Sequence, residues 1–163
     1  PLLEWLGSPI VYLEKYPVAA RMRELAQVYY SPSACQYHYL HMARGNFREY
    51  LRGEIVWIKK YFYVLRPLLA MNWIEQGLGT VPTDFNVLLD KLVIEPNLRV
   101  EIERLLSAKR AGAELDRGPR IEPISRFIER ELERWEKQKI VSHRLADITD
   151  KLDELFKANL AEV

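Results

Sequence analysis

The chain has 163 residues, enough for one domain with a sizeable core. Its 48% hydrophobic and 29% charged residues exclude a disordered chain, and a net charge of +1 provides no global field that demands nucleic acid or a membrane. The lone cysteine, Cys35, excludes an internal disulfide framework and fits a reducing, cytoplasmic compartment.

No apolar run reaches about 18 residues, so no membrane span is expected, and no signal-peptide pattern is present. The chain opens at Pro1 directly in the apolar PLLEWL, an opening expected of a processed, tag-cleaved or truncated chain. PLLEWL reads as the last turns of a helix stopped by Gly7. SPIVYL, residues 8–13, has the β-branched and aromatic content of a short strand. With no second convincing strand to pair with, it reads as the remnant of a sheet.

Helices follow from Tyr16. Pro17 suits a first helical position, and ARMRELAQVYY carries that helix to Tyr30. Ser31 or Ser33 caps the next, which begins near Pro32, runs to about Arg52 and stops at Gly53. A third is expected over 54–76, a fourth after Thr83 or Asp84, and a fifth from Pro96. Residues 108–123 form a polar Gly/Pro linker before a sixth helix over 124–141. A seventh carries Leu145, Ile148, Leu152, Leu155 and Phe156 as an apolar stripe. The expected fold is therefore mainly α, a bundle of six or seven helices with one short N-terminal strand.

The helix at 54–76 is apolar on most sides and so reads as the central one. At 100° per residue, Lys59, Tyr63, Arg66 and Ala70 share a sector of roughly 60°. A cationic stripe on a central helix either finds buried partners or lines a cleft. Ala70 leaves room for a ligand, and Pro67 predicts a kink. On the preceding helix, Tyr39, Leu40, Ala43, Phe47, Tyr50 and Leu51 share one side, and His38, His41, Arg44, Gly45, Arg48 and Arg52 the other. Gly45 costs about 1 kcal/mol relative to Ala, which suggests close approach by a neighbour or ligand.

Residues 34–66 hold six Lys/Arg against two Glu. For Arg48 and Arg52 a solvated face is the plain alternative, and for Tyr61 and Tyr63 a core position with a satisfied hydroxyl. Trp5, Trp57, Trp73 and Trp135 read as core, and Cys35 as a small apolar residue. His38 and His41 lack a third ligand at motif spacing, so no metal site is expected. The chain also lacks a glycine-rich phosphate loop, HExxH, GxSxG, CxxC and a strand-borne Asp-x-Asp. No catalytic residues are assigned.

The stretches PLLEWLGSPIVY, SPSACQYHYLHMARGNFREYLRG and KKYFYVLRPLLAMNWIE resemble the C-terminal part of a predicted nucleotidyltransferase family. It lies in the DNA polymerase β superfamily, in the branch associated with RNA repair. The likeness runs from Pro1 to about Trp135, and residues 141–163 match nothing nameable. It implies an upstream α/β domain with a Gly-Ser motif and Asp-x-Asp carboxylates for Mg²⁺ or Mn²⁺ and a nucleoside triphosphate. On that reading, 1–15 is the end of the catalytic domain, 16–140 a helical substrate-binding lobe, and 141–163 a C-terminal amphipathic helix. The chain alone is expected to be inactive. Lys59, Tyr63 and Arg66, with His38, His41, Arg48 and more weakly Lys60, are the expected contacts to nucleotide phosphates or an RNA acceptor. Arg66 is expected to serve binding more than folding. Two other readings stand beside this one: a non-catalytic adaptor that binds protein or RNA through the basic 38–66 face, and a structural bundle that dimerises through 141–163.

Overall fold

The computed structural model describes residues 2–140 and 147–161. Among them are eight α-helices and one two-stranded sheet. The helices are α1 (Leu2–Leu6), α2 (Val18–Tyr29), α3 (Pro32–Tyr50), α4 (Tyr61–Glu75), α5 (Phe85–Leu92), α6 (Pro96–Arg110), α7 (Glu122–Lys137) and α8 (Thr149–Ala161). The strands are β1 (Ile55–Trp57) and β2 (Arg117–Pro119), and a 3-10 turn, Ile58–Lys60, joins β1 to α4. The mainly helical class expected from the sequence holds.

Local chemistry sets most helix starts. Ser31 caps α3, its Oγ accepting from the Ala34 N–H, with Pro32 in the first turn. Asp84 caps α5 by accepting from the Asn86 N–H at 2.8 Å. Proline also opens α6 and α7. After α4 the chain turns through Gly77 at φ +66, a conformation open to glycine at little cost.

α4 is the central helix and packs against α3, α5 and α7. Val64, Leu65, Leu68, Leu69, Ala70 and Met71 on it are fully buried. The helix runs continuously through Pro67. Ala70 therefore belongs to the core and leaves no room for a ligand, contrary to expectation. α7 meets α4 along a polar seam. The Asn72 carbonyl oxygen accepts from Arg134 (2.7 Å) and from the Trp135 indole (3.1 Å), and its amide donates to Glu131 (3.0 Å). At the other end of α4, the Tyr61 hydroxyl bonds Ser125 at 2.7 Å and accepts from the Ile121 N–H at 2.9 Å. Satisfied polar groups of this kind fix how two helices sit on one another.

The strand expected at 8–13 is not one. Ile10, Val11, Tyr12 and Leu13 form an exposed irregular segment, and no strand among the described residues pairs with them. The sheet forms elsewhere: β1 and β2 are antiparallel, pairing Ile55 with Pro119, Val56 with Gly118 and Trp57 with Arg117. The expected helix over 54–76 thus begins only at Tyr61. The linker over 108–123 supplies the partner strand that the sequence reading missed. Trp5, read as core, is 73% exposed, whereas Trp135 is buried. Gly45 has open space around its missing side chain, so no neighbouring group of the described fold accounts for it. α8 lies against α2. Leu145, one of the expected stripe residues, falls outside the described residues. No helix among the described residues is long and apolar enough to cross a membrane.

Candidate functional site

The first two turns of α4 form one wall of a cleft of about 310 Å³, with Phe62, Tyr63, Arg66 and Pro67. α3 contributes His38, Tyr39 and Met42, α1 contributes Glu4, and the last turn of α6 contributes Lys109. The volume lies at the lower end of the range for small-molecule clefts, roughly 300–1,000 Å³. A neighbouring depression shares Phe62, Tyr63 and Lys109 with it and adds Lys59, Glu114 and Asp116.

Aromatic rings and cations alternate around the rim. The Lys60 ammonium lies 4.0 Å from the Tyr50 ring centre and 4.6 Å from that of Tyr63. Lys59 sits 5.4 Å from the Trp57 ring and Lys109 5.1 Å from Phe62. Tyr63 is 53% exposed, so its ring is available to a ligand. Among the described residues, no carboxylate pairs with Lys59, Lys60, Lys109 or His38.

Arg66 differs from these cations. Its guanidinium donates to the carbonyl oxygens of Thr83 and Pro82, both at 3.0 Å, and lies 3.3 Å from the Glu4 carboxylate. Glu4 also accepts from the Tyr39 hydroxyl at 2.6 Å, while its backbone carbonyl accepts from Thr83 Oγ1 at 2.7 Å. α1, α3, α4 and the loop before α5 are thereby tied together. Burial, and then the bond to Glu4, push the Tyr39 hydroxyl well above its ordinary value, so it stays a donor. Burial likewise raises the Cys35 thiol, keeping it protonated and poorly nucleophilic.

The expected site residues separate into three groups. His38, Tyr63 and Arg66 meet in the cleft. Lys59 and Lys60 border it from the 3-10 turn. His41 and Arg48 are exposed but do not line it. On the same outer side of α3, Arg44 reaches Glu136 of α7 at 3.3 Å. Glu4, Met42, Phe62 and Lys109 were not foreseen. No periodicity within one helix links positions 4, 62 and 109. Among the described residues, no three His, Cys, Asp or Glu side chains gather to hold a metal ion.

No solved structure matches the chain. Its sequence is 49% identical over 165 residues to the "Uncharacterized protein YcgL" of Bacillus subtilis (strain 168), covering all of this chain and 63% of that protein. The chain thus spans less than two thirds of that relative's length. The family model RlaP, described as the RNA repair pathway DNA polymerase beta family, matches residues 1–158. The likeness therefore extends into α8, well beyond Trp135, where the sequence reading let it end. This chain belongs to the RNA repair pathway DNA polymerase beta family.

Proposed function

We propose that this chain is the helical substrate-binding lobe of a nucleotidyl-transferring RNA-repair protein, and that its cleft holds a nucleotide or the end of an RNA acceptor. The observation that carries the reading is the position of Lys60 between Tyr50 and the exposed ring of Tyr63, with Lys59 and Lys109 close by. Aromatic faces accept bases and free cations accept phosphates, and this pairing recurs where single-stranded nucleic acid is bound. The carboxylates that hold Mg²⁺ or Mn²⁺ and activate the attacking hydroxyl belong, on this reading, to a part of the longer protein outside this chain. The lobe's own work is to bind, orient and neutralise. Arg66 contributes by holding Glu4 and the loop before α5 in place, and it does not meet phosphate.

The test is a titration of ATP into the chain at fixed salt, for wild type, Lys60→Ala and Lys109→Ala. Each substitution should weaken binding about tenfold or more, as expected when one hydrogen bond to a charged group is lost, with unchanged thermal unfolding. Equal affinities in all three proteins would remove the reading. The adaptor reading rests on the exposed basic positions His41 and Arg48 of α3 and Arg52 just after it. It would gain if an RNA oligonucleotide bound the chain and lost affinity on Arg48→Ala but not on Lys60→Ala.

A further inference from the structure

A site built only for phosphate has no use for a carboxylate, yet Glu4 lines the cleft. Its Oε1 is committed to the Tyr39 hydroxyl and the Arg66 guanidinium. Its Oε2 takes no hydrogen bond from any described residue. Met42, Phe62, Tyr63 and Pro67 give the cleft apolar and aromatic walls, with His38 and Lys109 also on its lining. The free ammonium groups of Lys59 and Lys60 lie to the side, around Tyr63. Phosphate is repelled at the carboxylate and drawn to the lysines, whereas a flat base finds a largely apolar slot with a carboxylate acceptor in its wall.

We infer that the cleft is a nucleobase subsite in which Glu4 selects bases carrying an exocyclic amino group, with the phosphates led out past Lys59, Lys60 and Lys109. This rests on the nucleotide-binding reading above and specifies its substrate class. An amino group on adenine, cytosine or guanine donates to Oε2, as carboxylates accept from cytosine in base readout. Uracil lacks the amino group and offers only a ring N–H flanked by two carbonyls, so a carboxylate that accepts from it is also repelled by a flanking oxygen. A site built to take a hydrogen bond rejects the analogue that lacks the donor far more strongly than an apolar pocket rejects a change of size. Arg66 and Tyr39 act as positioning residues: they hold Oε1 and so leave Oε2 to the base.

The experiment compares the affinity of the chain for ATP with that for purine riboside triphosphate, which lacks only the 6-amino group, and for CTP with that for UTP. Wild type should bind ATP and CTP at least about tenfold more tightly than their partners, the loss expected for one hydrogen bond to a charged group. Glu4→Gln, whose amide both donates and accepts and keeps an oxygen for Tyr39 and Arg66, should bring both ratios close to unity while its melting temperature stays near that of wild type. Equal binding within both pairs by wild type would overturn base selection and leave the nucleotide-binding reading intact, as would discrimination that persists in Glu4→Gln. Absence of binding by all four triphosphates would overturn both. The comparison in wild type stands even where the Glu4→Gln protein folds poorly.

Discussion

The Arg66 guanidinium reaches the Glu4 carboxylate, Nη2 to Oε1 at 3.3 Å, across the cleft that both residues line. With Nη1 and Nη2 also donating to the carbonyls of Thr83 and Pro82, this arginine has three internal acceptors. Its side chain is 24% exposed. Arg66→Ala should therefore lower stability by about 2 kcal/mol, because a carboxylate and two carbonyls lose their donor together. Lysine cannot reproduce the planar fork, so Arg66→Lys should recover only part of the loss. Urea unfolding midpoints measure this. Unchanged stability together with lost nucleotide affinity would return Arg66 to a direct binding role.

Tyr61→Phe should cost about 1–3 kcal/mol through a single oxygen. That hydroxyl joins the start of α4 to Ser125 and to the Ile121 N–H, and its loss leaves both without their partner. Denaturant unfolding at constant m-value would register it. A neutral substitution would mean that water replaces the hydroxyl at the head of α7.

Several features of this packing are written in single stretches of sequence. Ser31-Pro32, Asp84 and Pro96 announce their helices because caps act within four residues. α4 is recognisable as central because Val64, Leu65, Leu68 and Leu69 leave it few polar positions. β1 escaped because IVW lies only three residues, Ile58-Lys59-Lys60, before the apolar run of α4, and its partner is a Gly-Pro stretch that reads as linker. Conversely, IVY at 10–12 has strand composition and nothing to pair with, so propensity alone misled. The cleft was half legible. His38, Tyr63 and Arg66 share helix faces that spacing exposes, but Glu4 and Lys109 arrive from helices far along the chain. The contact between Arg66 and Glu4 is likewise invisible to charge counting along one helix.

Alkaline pH should unfold the protein in a recognisable way. Tyr39 is pushed above its ordinary value of 10.0 by burial and the bond to Glu4, and Tyr30 by burial and the neighbouring Cys35. A proton held more tightly in the folded than in the unfolded chain stabilises the fold fully below the unfolded value. That contribution is lost as pH rises above about 10. Urea midpoints should be flat up to about pH 9, where the raised Cys35 thiol begins to contribute, and fall more steeply above about 10. Tyr39→Phe should start lower and fall less steeply. An equal alkaline slope in the variant would show that Tyr39 is not among the responsible groups.

The C-terminal helix yields a prediction about assembly. Leu152, Phe156 and Leu160 are 43%, 65% and 61% exposed, one turn apart on α8, while Ile148 and Leu155 are half-buried. An apolar row of this kind is covered when a second copy packs on it. We propose that the chain self-associates through α8, so sedimentation velocity should show a concentration-dependent shift that Phe156→Glu abolishes. A wild-type sedimentation coefficient independent of concentration would contradict it.

Photolabelling tests most directly whether a nucleotide occupies the cleft between α3 and α4. The chain is irradiated with an azido-adenosine triphosphate, digested, and the modified peptides are identified by mass spectrometry. Label should fall on the α4 segment with Phe62 and Tyr63 or the α3 segment with Met42. Unmodified ATP should compete it away, and Lys60→Ala should reduce it. Label concentrated elsewhere, or insensitive to competing ATP, would contradict the account.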